Sequence, residues 1–335
     1  MRKETRFAFD AFLDAIAKLN GVTNATQKFA VAPSVQQKLE TRIQESSDFL
    51  KRVNVIGVTE QSGAKLGLGV GSPIASTTDT SVKDRETSDV TDLDENGYNA
   101  TQTNFDSHIT YALLDAWAKF PDFQTRIRDV IVRRQALDRI AIGFNGKTRA
   151  KTSDRTANPL LQDVNKGWLQ RMRDQAPQRV MDHGATAGKV KVGAAGDYAN
   201  LDALVVDLVA SMIEPWHQDD TALVVMCGRG LLHDKYFPLI NKSQAPSEML
   251  AADVITSQKR IGNLPAVTVP FFPANAVLVT SFDNLSLYYQ DSTRRRTIVD
   301  NAKRDRIENF ESSNDAYVVE DLGRAAMAEN IEIIA

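Results

Sequence analysis

Three places in the 335-residue sequence put chemically useful residue types at suggestive spacing. Gly67-Leu68-Gly69-Val70-Gly71 resembles a glycine loop that cradles phosphate. That chemistry needs a helix amino terminus directly behind the loop, aimed at the phosphates. Pro73 and a polar, β-branched stretch follow instead, which suits a flat, close-packed strand. Asp92-x-Asp94-x-Asn96-Gly97 matches the first half of a calcium loop, but Thr103 stands where the bidentate Glu belongs. A turn made by Asp, Asn and Gly accounts for that run better. Cys227 has His217 and His233 nearby in sequence, and a nucleophilic thiol needs such a base within hydrogen-bond reach. A Cys that follows Leu223-Val224-Val225-Met226 at a strand end instead reads as a small buried hydrophobe. His108, His183, His217 and His233 lack metal-ligand spacing, and neither a nucleophile elbow nor a Walker loop occurs. No catalytic, metal or cofactor site is expected.

The elements that would position any such residues follow from composition and pattern. Lys plus Arg number 40 against 43 Asp plus Glu, and hydrophobic residues make up 42%. That balance suits a globular chain with a real core, and argues against a protein built mainly to hold nucleic acid. A run of apolar residues long enough to span a bilayer is missing from the sequence, so no membrane is expected. One cysteine excludes an intramolecular disulfide and fits a reducing compartment.

Phe9, Phe12, Leu13, Ile16 and Leu19 share one helical face, and Asn20-Gly21 ends that helix. The following VTNATQK reads as an exposed linker, which makes the leader either a packed terminal helix or a detachable segment. Strand patterns run from Val53 to Val70, resume at Tyr98–Phe105, and return at Ile109, Tyr111 and Leu113. Between them, residues 76–95 carry seven acids and two bases with little apolar content. A structureless loop of that length is unusual in a compact domain, so a long two-stranded arm lying on another surface is the better reading.

A long helix is predicted over Asp122–Gly143, with Ile127, Val130, Ile131, Leu137, Ile140 and Phe144 as its stripe. Its other face carries Arg126, Arg128, Arg133, Arg134 and Arg139. Residues 147–192 hold ten bases and four acids but one aromatic, Trp168, which offers little base stacking. A helix over Leu201–Ile213, a buried strand at Ala222–Met226, a helix near Ser247–Lys259 and short later strands complete an α+β pattern.

The stretches MRKETRFAFDAFLDAIAKLNG at the start, QESSDFL (Gln44–Leu50), GSPIASTTDT (Gly71–Thr80), TSDRTANPLLQDVNKGWLQ (Thr152–Gln170), SEMLAADVITSQKRIGNLPAV (Ser247–Val267) and YVVEDL (Tyr317–Leu322) are specific. Together they resemble the major capsid proteins of tailed bacteriophages, Peduovirus-type, whose fold is named after phage Hong Kong 97. The resemblance implies a peripheral domain with a spine helix, an axial domain, an extended β-arm loop and an N-terminal arm. On that pattern, residues 1–29 are an assembly segment cut near Phe29-Ala30, 30–52 the N-terminal arm and 53–106 the extended loop, which lies across a neighbouring subunit. Residues 107–197 form the peripheral domain, 198–310 the axial domain, and 311–335 the return to the peripheral domain.

The resemblance also implies the partners: further copies of the chain in an icosahedral shell, a scaffolding protein with its prohead protease, and a portal. Decoration or size-determining proteins, and double-stranded DNA packaged in the lumen without sequence specificity, complete the set. The expected location is the virion, after assembly in the bacterial cytoplasm. Two rivals remain at this point: a nucleotide-binding enzyme using Gly67–Gly71, and a nucleic-acid binder using 147–192. Local charge nominates Asp84, Glu86, Asp89, Arg126, Arg133, Arg134, Arg294, Arg295 and Arg296 as inter-subunit contacts. Reversing Arg294, Arg295 and Arg296 to Glu is therefore expected to impair assembly while the monomer stays folded.

Overall fold

A computed structural model describes residues 1–65, 75–87, 97–117, 120, 123–240 and 259–334. The chain opens with α1 (Lys3–Asn20), β1 (Phe29–Ala30), α2 (Pro33–Glu45), β2 (Asn54–Val58) and β3 (Ser62–Gly63). Beyond the acidic stretch come β4 (Tyr98–Asn99), β5 (Thr101–Asn104), β6 (Ser107–Thr110), α3 (Tyr111–Trp117), α4 (Phe123–Asn145) and α5 (Trp168–Gln175). Next are β7 (Val180–Met181), β8 (Val190–Val192), α6 (Leu201–Met212), β9 (Val224–Cys227) and α7 (Arg229–Ile240). The last part holds β10 (Arg260–Ile261), β11 (Leu264–Val267), β12 (Val277–Thr280), β13 (Leu285–Gln290) and β14 (Arg295–Asn301). It closes with β15 (Arg306–Val319), β16 (Ala326–Ala328) and β17 (Ile331–Ile333).

Local chemistry sets several boundaries. Gly21 closes α1 in the left-handed region at φ 65°, and its N–H returns to the Ala17 and Lys18 carbonyls. The Asn200 side chain caps α6 by accepting from the Ala203 N–H. Tyr111 and Leu113, which alternate like strand residues, lie instead in the first turns of α3. The helix expected near 247–259 lies outside the described residues.

Two large sheets and two small two-stranded ones, β8-β17 and β3-β4, organise the described chain. The larger runs β1-β14-β15-β13-β2, with β5 and β6 paired to the other side of the 14-residue β15. The second runs β10-β11-β9-β12-β16-β7. Its strands alternate between two cores. Val224, Met226, Leu278 and Met327 face a core shared with α2, α4 and α5. Val225, Cys227, Val277, Val279, Ala326 and Ala328 face a second core with α6 and α7. A boundary at residue 310 therefore fails, because β13 and β14 belong with β2 and β15. Residues 326–328 join the second sheet, and 331–333 pair with β8, with Ala326, Ala328 and Ile331 in the second core.

The first core centres on Trp168, which is fully buried and donates from Nε1 to the Ser286 carbonyl at 2.9 Å. Phe49, Phe144 and Tyr317 pack edge-on or tilted around it. Gly143 makes room for the ring, since a Cβ there would sit 2.2 Å from it.

Beside this core the sheet and helices meet through charge. Arg139 of α4 donates from Nε and Nη2 to Asp315 at 3.0 and 3.1 Å, and also binds Glu40 of α2. Arg294 donates to Glu311 at 2.7 Å, to Glu40 at 2.5 Å and to the Gln135 carbonyl oxygen at 2.7 Å. Gln135 in turn donates to Glu311 at 2.9 Å. All six side chains are buried. Burial alone would raise the Glu40 and Glu311 pKa values, but the facing guanidiniums outweigh it and hold both below the ordinary range.

Depressed carboxylate values stabilise the fold above the unfolded-state pKa, and that contribution disappears as pH falls through the folded-state pKa. Stability to urea is therefore expected to be flat near neutrality and to drop below about pH 4. Glu40→Ala, which leaves two buried guanidiniums short of a partner, is expected to cost about 3–5 kcal/mol at pH 7 and to flatten that acid limb.

Candidate assembly surfaces

The nominated residues fall into three groups. The first is the N-terminal segment. β1 pairs antiparallel with β14, Phe29 opposite Arg296 and Ala30 opposite Arg295. The Val31 N–H donates to the Arg294 carbonyl at 2.8 Å, and the Ile298 N–H to the Ala25 carbonyl at 3.2 Å. Residues 25–31 thus cover the β14 edge, and Phe29 is 8% exposed. The linker over 22–28 is exposed apart from Val22 and Ala25, and it leads directly into the edge strand β1. α1 docks beyond it, packing Phe9, Ile16 and Ala17 on Leu114, Ile298 and Ile307. Arg6 pairs with Asp300 at 2.5 Å, Asp300 also accepts from the Tyr111 hydroxyl, and the Arg2 N–H donates to Asp115 at 2.9 Å. That contact with Asp300 pushes the Tyr111 pKa up to about 12.

The second group is α4 and its surroundings. Arg126 sits over the Phe120 ring, Arg133 is exposed, and Arg134 pairs with Asp138 at 2.6 Å. Arg139 does not share their outer face, because Asp315 and Glu40 draw it inward. Alongside lies a groove of about 740 Å³ between α4, the edge of β5 and β6 that is unpaired among the described residues, and residues 149–164. Val130 and Leu113 line it, both exposed, with Arg134, Arg149 and Lys151 at its polar wall. The Thr103 hydroxyl and the Asp163 Oδ1 are buried there without hydrogen-bond partners. Sequence spacing gave no sign of this groove, which needs three segments brought together.

The third group is charge in loops and strands. Asp84 and Glu86 are exposed in the arm, with Lys83 and Glu86 paired at 3.1 Å; Asp89 lies outside the described residues. Arg294 is 0% exposed, so it is no inter-subunit contact; its charge is held by Glu40 and Glu311 of its own chain. Arg296 is partly buried and donates to the Asn309 side-chain Oδ1 at 2.7 Å. Arg295 is exposed and carries no ion pair among the described residues.

The residues with chemical promise do not assemble into a site. Burial pushes the Cys227 thiol up to about 11, which keeps it protonated and unreactive at neutral pH. His217 instead faces Asp321 at 2.9 Å, and His233 lies exposed on α7. Gly67–Gly71 and the 92–96 stretch lie outside the described residues; Thr103 is a buried strand residue. In 147–192, Lys166, Arg173, Arg179 and Lys189 pair with Asp174, Glu329, Glu214 and Glu332. Four of the ten bases in that segment are thus tied to acids of their own chain. Among the described residues no helix is long and apolar enough to cross a membrane.

With no chemical site among the described residues, a surface groove beside α4 and exposed charge suit a structural subunit. Comparison with known proteins agrees. Residues 8–331 match the family described as phage major capsid protein, P2 family. The capsid protein of Escherichia phage P2 is 54% identical over 342 residues, covering 99% of this chain and 96% of the relative. The major capsid protein of Serratia phage KSP20 is 41% identical, covering 99% and 97%. A chain from the satellite phage P4 procapsid that includes the size determination (Sid) protein superposes with a TM-score of 0.84. It is 51% identical and the match covers 100% of this chain and 99% of that one. A chain from the capsid of an empty GTA particle, 18% identical, shares the fold with a TM-score of 0.52 over 86% of this chain and 90% of that one.

The chain belongs to the P2 family of phage major capsid proteins. It forms the icosahedral shell of a virion, has a Hong Kong 97-like mixed helix-and-sheet fold, and is not an enzyme.

The buried and exposed arginines separate cleanly in a test. Arg294→Glu sets a carboxylate beside Glu40 and Glu311 and is expected to destabilise the monomer by more than about 3 kcal/mol. Arg295→Glu is expected to stay within about 0.5 kcal/mol of the parent. Urea melts of both check this, and they replace the expectation that the triple reversal leaves the monomer folded.

Proposed function

We propose that residues 1–29 are an assembly segment removed by a scaffold-associated protease after the shell has formed. The observation that carries this reading is the contrast in how the two sides of Phe29-Ala30 are held. Upstream, α1 and the linker rest on an edge pairing, an apolar cluster distinct from the two sheet cores and partly exposed ion pairs. Downstream, α2 is fixed through Glu40 to the buried arginines. The segment can therefore leave without disturbing the core, while the buried Phe29 requires β1 to peel from β14 before a protease can take the bond.

On the same reading, the larger sheet with α4 as spine is the peripheral domain, and the second sheet with α6 and α7 is the axial domain. The exposed 75–87 stretch belongs to an extended loop that lies across a neighbouring copy. The groove beside α4 offers that neighbour an open strand edge, an apolar floor at Val130 and a basic wall complementary to Asp84 and Glu86. A portal and packaged double-stranded DNA complete the assembly. The likeness to a P4 procapsid chain supports a size-determining protein as a further partner.

Co-expression with scaffold and protease, followed by negative-stain microscopy and mass spectrometry, tests the processing. Closed shells whose chains lack about the first 29 residues are the expected product. Shells that keep the intact segment in the presence of active protease would overturn it. Val130→Asp, at an exposed site, is expected to leave monomer stability within about 0.5 kcal/mol and to prevent shell closure.

A further inference from the structure

We infer that the outer face of α1 pairs antiparallel with the same face of α1 from a second copy of this chain. The inner face is occupied: Thr5, Phe9, Ile16 and Ala17 are buried against the body. The outer face presents Glu4, Phe7, Ala11, Ala15 and Lys18, all exposed, with Phe7 65% exposed. Their spacing of i, i+3, i+7, i+11 and i+14 keeps them on one side of the helix. A large aromatic left open on a helix already docked by its other face calls for a cover.

The order of those five residues identifies the cover. Read in opposite directions about Ala11, the face is complementary to itself. Ala11 meets Ala11, the large Phe7 meets the small Ala15, and Glu4 meets Lys18, each of the last two contacts occurring twice by symmetry. Alanines at the crossing let two helices approach closely, and Leu19, 62% exposed, extends the apolar contact beside Phe7. Within one chain Glu4 and Lys18 stand at opposite ends of α1, and neither has an ion-pair partner among the described residues. In a parallel arrangement Phe7 would face Phe7 and like charges would face each other, so the antiparallel form is selected.

One helix pair buries far less than the roughly 1,200 Å² that a stable free dimer needs. The contact is therefore made where the shell already holds copies side by side, and the segment's removal releases it. This rests on α1 being an assembly segment, as proposed above.

Disulfide trapping in shells assembled from the full-length, unprocessed chain tests the pairing, with the buried native Cys227 silent. Ala11→Cys is expected to oxidise to a dimer, because it sits on the two-fold axis. Phe7→Cys and Ala15→Cys are each expected to stay monomeric alone and to cross-link when co-assembled. Asp10→Cys, exposed but off the face, gives the background. Glu4→Lys in the Ala11→Cys chain is expected to cut the cross-linking yield about fivefold, and adding Lys18→Glu to restore it.

Shells in which Ala11→Cys cross-links no better than Asp10→Cys would overturn the pairing. So would a charge swap that fails to recover yield, which would assign the face to a different protein. Dimers of Phe7→Cys alone would overturn the antiparallel sense. Deleting residues 2–20 reports separately on the reading beneath it: normal shells from that chain would show that α1 is no assembly segment.

Discussion

The fold depends on a buried set of charges that must be satisfied together. Arg139 and Arg294 face Glu40, Glu311 and Asp315 with no solvent to screen them. Each charge would cost several kcal/mol to bury alone, and the cluster is tolerable because nearly every polar atom has a partner. Its members come from α2, α4, β15 and the approach to β14, so those elements lock into one arrangement or none. Such clusters add little net stability over a well-packed apolar core, but they penalise every wrong packing heavily.

The same cluster explains where the chain can be divided without harm. Glu40 anchors α2, so everything from about residue 33 onward is committed to the body. What precedes it is held differently: a two-residue strand pair, an apolar patch through Phe9, Ile16 and Ala17, and partly exposed ion pairs. A segment held by many small terms can be displaced piecemeal, whereas one held by a buried ionic cluster cannot.

The parts legible in the sequence were those with an apolar rhythm. α1, α4 and α6 show apolar stripes, and β9, β12 and β13 are continuous or alternating apolar runs. α2 escaped because its buried positions include Gln36 and Glu40, which carry no apolar signal. Tyr111 and Leu113 misled because two alternating residues fit a strand as well as the start of α3. Arg139 and Arg294 misled for a different reason. Local charge counts treat arginines as solvated, and the acids that hold these two lie 17 to 254 residues away. The grooved surface beside α4 was invisible on the same ground, being made by segments from separate parts of the chain. The family itself was legible throughout, because specific stretches are spread along the whole sequence.

A shell subunit has a reason to concentrate its strength inside the chain and leave its outer contacts weak. An exposed ion pair contributes about 0–1 kcal/mol, and an isolated two-stranded arm is marginal on its own. Neither would hold two free subunits together at ordinary concentration. Once neighbours are fixed around a capsomer, each further contact becomes effectively intramolecular, and its effective concentration rises steeply. Weak contacts then let misplaced subunits leave while the closed lattice holds through their number. The exposed Arg295, the acids of the arm and the outer face of α1 all have that character. The buried cluster lacks it, and for that reason the subunit keeps its shape while the shell around it is built.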